Sequence, residues 1–193
     1  MKICVFGAAS NEIDKSYIDA VEKLGASMAL RGHALVFGAG GHGLMGAAAR
    51  GAHKHGGEIY GVIPEFFRDE NIEEIYANCT ELIYTETMAQ RKAKMEDIAD
   101  AFIIVPGGIG TFEEFFEVLT LKQLGRHVKP IAIYDINGYY QKLEDFLETA
   151  MEQRFIRDNC KKLYHCSDKE DEVLSYIEQD KLIRYDVREL KNG

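Results

Sequence analysis

The sequence predicts one α/β domain, a three-layer Rossmann-like open parallel sheet with helices on both faces. Three observations predict it. Short apolar runs alternate with amphipathic helical stretches along the 193 residues, the order of βαβ units rather than of hairpins. The run Ala-Phe-Ile-Ile-Val at 101–105 is continuous rather than alternating, as suits a strand covered on both faces. Glycine-bearing turns follow three of the runs, at Gly7, Gly38 and Gly107. In a parallel sheet all three lie on the edge where ligands bind, near the switch in strand order.

The elements follow in order. Residues 3–6 form the first strand and Gly7-Ala8-Ala9-Ser10-Asn11 its small-residue turn. A helix through about Leu30 places Ile18, Val21, Leu24 and Met28 toward the sheet, and Gly32 ends it. Ala34 to Phe37 is the second strand, followed by Gly38-Ala39-Gly40-Gly41-His42-Gly43-Leu44-Met45-Gly46. The helix over 44–55 carries Ala47, Ala48, Gly51 and Ala52, a small-residue face for close approach to the sheet or to another helix. A strand at 58–63 leads to an acidic connection over 65–79, with Asp69, Glu70, Glu73 and Glu74, that reads as a lid or as a solvated excursion. Residues 81–85 give a fourth strand and 101–105 a fifth, with a helix between them whose apolar stripe is Met88, Met95 and Ile98. Beyond the central turn come Phe115, Phe116, Val118, Leu119 and Leu121 at helical spacing, a sixth strand at 130–134, and helices at 139–153 and 171–177.

Composition bounds the function. A net charge of −9 argues against a polymeric nucleic acid or an anionic membrane as partner, since those are met by Lys and Arg. Cys4, Cys79, Cys160 and Cys166 have no Cys-x-x-Cys spacing and read as reduced cytosolic thiols. The first residues enter a strand at once, with no signal-peptide h-region, so a soluble cytoplasmic protein of residues 1–193 is expected. His53 and His55 lie on different helical faces without a nearby acid or cysteine, and no metal site is expected.

The chemistry is expected at Pro106-Gly107-Gly108-Ile109-Gly110-Thr111-Phe112-Glu113-Glu114, where glycines join a buried strand to a helix start whose N–H groups can meet an anion. Thr111 and Glu114 also have capping-box spacing, so Glu114 reads either as a helix cap or as a functional carboxylate. The loop at Gly38, Gly40 and Gly43 formally matches G-x-G-x-x-G, but it follows the second strand, and Glu58 stands at the wrong end of its own strand to bind a ribose. With NAD set aside, that loop is either a phosphate contact or a tight packing turn. No Gly-Lys-Ser/Thr follows it, which excludes a Walker A loop. Arg91 falls inside the stripe between Met88 and Met95, either as a stem lying over apolar surface or as a fork aimed at a carboxylate or phosphate.

Two linked motifs carry a family resemblance. Residues 106–114 fit P-G-G-x-G-T-x-x-E, and Met88-Ala89-Gln90-Arg91-Lys92 resembles the Arg-Lys motif that precedes it in the LOG family, the cytokinin riboside 5′-monophosphate phosphoribohydrolases. The loop at 38–46 resembles that family's G-G-G-x-x-G-L-M-G, with Ala39 replacing a glycine, a mild change if its φ stays negative. The likeness spans Ile3 to about Ile156; the acidic connection does not align cleanly, which leaves the base pocket open. Members are often labelled lysine decarboxylases, but nothing in the sequence marks a pyridoxal phosphate site. The resemblance implies hydrolysis of the N-glycosidic bond of an adenine-type nucleoside 5′-monophosphate, no metal or organic cofactor, and a homodimer. It implies Arg91 and Glu114 as the catalytic pair, with Glu114 ionised. Gly108, Ile109, Gly110 and Thr111 would hold phosphate and ribose, with Lys92 and Thr120 as further contacts. Gly107, Gly40, Gly41, Ser10 and Glu113 complete the candidate set; Glu113, on another helical face, is the one expected to be replaceable.

Overall fold

The computed structural model describes residues 1–70 and 74–190. Glu73 of the acidic connection lies outside the described residues. Seven parallel strands form one sheet: β1 Lys2–Phe6, β2 Ala34–Phe37, β3 Ile59–Pro64, β4 Glu81–Thr85, β5 Ala101–Ile104, β6 Ile131–Tyr134 and β7 His165–Ser167. The helices are α1 Lys15–Leu30, α2 Gly43–Lys54, α3 Glu65–Asp69, α4 Met88–Ile98, α5 Ile109–Gln123, α6 Gln141–Glu152, α7 Glu170–Gln179 and α8 Val187–Leu190. The strand order is β4-β3-β2-β1-β5-β6-β7, so the order reverses between β1 and β5, where Phe6 pairs with Ile104.

Side-chain alternation divides the core by face. Ile3, Val5, Ala101 and Ile103 join the residues of α1, α2 and α7 on one face. Cys4, Phe6, Phe102 and Ile104 meet Met95 of α4, Phe115 of α5 and Tyr140 on the other. The small-residue face of α2 packs on α1. A Cβ on Gly25 would lie 2.1 Å from the Ala48 carbonyl, and one on Gly51 would lie 1.9 Å from that of Glu22, so only glycine lets these backbones touch. Asp14 caps α1 by accepting from the Ser16 N–H at 2.8 Å.

Three elements depart from the sequence expectation. The seventh strand, His-Cys-Ser, is too short and polar to show an apolar run, and its pairing with β6 is what makes it a strand. The acidic connection is not a bare excursion. It begins as α3, and its later part is pinned by the Gly41 N–H to the Glu74 carbonyl at 2.7 Å and the Tyr76 N–H to the Ala39 carbonyl at 2.8 Å. Ala39 has φ +64°, not the negative value expected of an alanine. This residue turns the chain out of β2 toward those two backbone bonds, in a conformation that costs an L residue about 1–2 kcal/mol.

Candidate active site

At the reversal in strand order the turns after β1, β2 and β5 enclose a cleft of about 270 Å³. Gly7, Ala8 and Ala9 form one wall, Gly38 and Gly40 a second, and Gly108, Gly110 and Thr111 a third. Arg91, Glu114 and Phe67 face into it over Met45 and Met95. The turn after β5 is held from below. The Tyr139 hydroxyl donates to the Gly107 carbonyl at 2.6 Å, that of Tyr140 donates to the Val105 carbonyl at 2.9 Å, and the Ala8 N–H reaches the Pro106 carbonyl at 3.0 Å.

The helix after this turn starts earlier than its sequence suggests. Gly108 is the N-cap of α5 and no side chain caps it, so Thr111 and Glu114 do not form a capping box. Thr111 is instead buried in the first turn, against Gly107. The first backbone bond is Phe112 N–H to the Gly108 carbonyl at 3.0 Å. The N–H groups of Ile109, Gly110 and Thr111 are left without protein partners among the described residues, and the helix dipole adds to their pull on an anion.

Glu114 lies one turn further on, largely enclosed. Burial raises its carboxyl to about 7; the Arg91 charge pulls the other way, and Glu113 reinforces the rise. Glu114 is therefore a carboxyl that titrates near neutrality, and the ionised form expected to act fills as pH rises through that range. Arg91 is fixed by its Nε–H donating to the Val62 carbonyl at 3.2 Å and by Nη1 against Met88 Sδ at 3.8 Å. Its guanidinium lies on Gly38, where a Cβ would stand 1.6 Å from Nη2. That settles the stripe arginine as a fork held in a cleft rather than a stem trailing into water, and it explains the glycine.

The remaining candidates divide. Gly40 lines the cleft beside Gly38. Lys92 does not: its amine bridges Glu113 and, at 2.7 Å, Glu117, tying α4 to α5. Partial burial works against the Lys92 charge, but these two carboxylates lift its amine to about 12. Glu113 is spent on that bridge and stays outside the cleft. Gly41 gives its N–H to Glu74, and the Ser10 hydroxyl accepts the Glu12 N–H at 3.1 Å but keeps its own O–H to donate; neither residue lines the cleft. Gly107 offers its carbonyl to Tyr139, and the Ile109 side chain points to solvent, 88% exposed. Thr120 is exposed on α5, about 9 Å along the axis from Glu114 and on another side of the helix.

A polar cluster beside the turn after β2 left no mark in the local sequence. Asn11 accepts the Gly43 N–H at 2.8 Å and lies 3.0 Å from His42 Nδ1, while His42 Nε2 meets Glu74 at 3.1 Å. One side chain from each of three segments thus ties the turns after β1 and β2 to the acidic connection. Phe67, in an acidic stretch without periodicity, had no sequence signal beyond being aromatic.

Known proteins resemble this chain along most of its length. The family model described as "Possible lysine decarboxylase" matches residues 45–177. Two Arabidopsis thaliana proteins named cytokinin riboside 5′-monophosphate phosphoribohydrolase, LOG2 and LOG4, are 35% and 37% identical over 178 and 183 residues. The matches cover 92% of this chain and 83% and 82% of theirs. Among solved structures, the molybdenum cofactor carrier protein of Chlamydomonas reinhardtii superposes with a TM-score of 0.69 at 21% identity, over 92% of this chain and 96% of its own. The molybdenum cofactor binding protein of Rippkaea orientalis gives the same score at 20% identity over 92% and 94%, a likeness of fold. With its relatives matched over more than four fifths of their length and the two motifs meeting in one cleft, the chain belongs to the LOG family of cytokinin riboside 5′-monophosphate phosphoribohydrolases.

Proposed function

We propose that this protein hydrolyses the N-glycosidic bond of adenine-type nucleoside 5′-monophosphates, releasing the base and ribose 5-phosphate. The observation that carries the reading is the enclosed Glu114 carboxyl facing the same cleft as Arg91 and the uncapped start of α5. The names of the relatives give the reaction class. The 5′-phosphate meets the N–H groups of Ile109, Gly110 and Thr111, which brings the ribose over Glu114. Breaking the C1′–N bond builds positive charge on the sugar. The Glu114 carboxylate stabilises that charge and orients the attacking water. Arg91 binds the ribose hydroxyls or the departing base, and Phe67 offers its ring for the base to stack on.

The test is incubation with AMP, a cytokinin riboside 5′-monophosphate and the other common nucleoside monophosphates, with free base and ribose 5-phosphate quantified. Stoichiometric release of both from an adenine-type nucleotide is expected. Binding without turnover of any member would sink the reading in favour of a nucleotide carrier, and equal turnover of all bases would replace it with a broad nucleosidase.

The same reading makes the protein a cytoplasmic homodimer. Its four cysteines are unpaired, as suits a reducing compartment. Helix α4 buries only Met95 and exposes Met88 at 39%, and on α5 Ile109 and Phe116 stand exposed at 88% and 37%. A partner packed on α4 and α5 covers these side chains and reaches Lys92, Glu113 and Thr120, which the cleft of one chain does not. Light scattering at micromolar concentration is expected to give twice the chain mass of 21.8 kDa, and Phe116→Asp to reduce it to one.

A further inference from the structure

A second cavity, of about 290 Å³, lies at the other end of α5, lined by Lys122, Lys162, Tyr176, Asp180, Lys181 and Tyr185 among others. Lys122 is 6% exposed and makes no hydrogen bond or ion pair among the described residues. The Lys122 stem is buried while its ammonium keeps contact with water through this cavity, with no counter-charge in hydrogen-bond reach. Its position in the last turn of α5 does not account for it. The Thr120, Leu121 and Lys122 carbonyls there already accept from the N–H groups of Leu124, Arg126 and Gly125. Asp180 is the carboxylate whose charge it feels, but Asp180 is committed to the Leu182 N–H at 2.7 Å and to the Tyr176 hydroxyl. Three lysines against one aspartate leave this cavity positive in a chain of net charge −9.

We propose that this cavity is a second ligand site, separate from the cleft of Arg91 and Glu114, that takes the phosphate group of a small phosphate monoester. Two excess positive charges match a phosphate dianion, Lys122 meets it from the buried side, and Lys162 and Lys181 close over it from the two flanking segments. Tyr176, held by its ring stacking on His165 at 4.9 Å, and Tyr185 flank the organic part. Burial keeps the Lys122 amine below its usual range, and an arriving anion reverses that disfavour. Lys122 stands eight residues after Glu114 on one helix, about 12 Å along its axis, so occupancy here bears on the element that carries the cleft's carboxylate.

The experiment is a titration of the full-length protein with inorganic phosphate, followed by backbone amide resonances. Saturable shifts are expected at residues 179–185, distinct from any at Gly108–Thr111. Lys122→Met, of similar length and uncharged, is expected to abolish the shifts at 179–185 and leave those at the cleft. Lys162→Ala/Lys181→Ala, both at exposed positions, is expected to weaken them by about tenfold and serves if Lys122→Met does not fold. Parallel titrations with AMP and with ribose 5-phosphate then tell a nucleotide from a sugar phosphate. Shifts confined to the cleft, or shifts at 179–185 that persist unchanged in these variants, overturn the proposal, whatever the outcome of the hydrolysis assay.

Discussion

Glu114→Gln is expected to produce a protein that is both inactive and more stable. Turnover should fall by about 10²–10³ or more, because the amide cannot supply the charge that the developing sugar cation requires. Stability should move the other way. The folded protein holds the Glu114 proton up to about pH 7, whereas an unfolded chain releases it near 4.3. Between those values the folded state binds more protons than the unfolded, so stability falls as pH rises through this window, and the full penalty stands above 7. Glutamine removes it, a gain of up to about 3 kcal/mol at pH 8 that vanishes below pH 4. Urea melts at the two pH values measure it. A capping role would give a loss of stability at every pH, so the sign alone separates the two. In the wild type, kcat/KM is expected to rise with pH and level off above about 7, as the carboxylate form fills.

The second large effect is expected from a residue with no side chain. In Gly38→Ala the new methyl would sit 1.6 Å from the Arg91 guanidinium, whose flexible end can swing away, so the protein folds while the fork leaves its place on the Val62 carbonyl. Activity should drop about 10²-fold, to within a few-fold of Arg91→Ala, with the melting temperature little changed. The double variant should be no worse than either single one, because both remove the same placed group. Steady-state rates of the three proteins decide it; multiplicative losses would mean that Gly38 acts on something other than Arg91.

The fold and the two charged groups of the cleft were legible because each leaves a local mark. Apolar runs of four or five residues between helical stretches are enough to order six strands, and glycine after an apolar run marks the turns that later meet. Arg91 stood out as a charge inside an apolar stripe. What was not legible depends on distant partners. Nothing near Lys92 in sequence shows that it will be held by Glu113 and Glu117, twenty and more residues away. The same is true of Tyr139 and Tyr140, which read as the start of a helix and in fact support the turn that begins at Pro106. Placing Gly41 and Thr120 by position does not allow for a backbone N–H already taken by the Glu74 carbonyl or for which side of α5 a residue occupies. The capping-box alternative at Thr111 would start the helix three residues late, and local sequence could not exclude it because a glycine N-cap leaves no side-chain signature.

The left-handed Ala39 has one further implication. Its methyl fills the space where a Cβ on Gly61 would come, 2.9 Å away on the neighbouring strand. The alphabets allowed at the two positions are thus tied. A lineage that restores glycine at 39 removes one of the barriers to a side chain at 61, and one that keeps alanine at 39 holds glycine at 61. Exchange at this pair is expected to be correlated during divergence, although neither residue is among those that face the cleft.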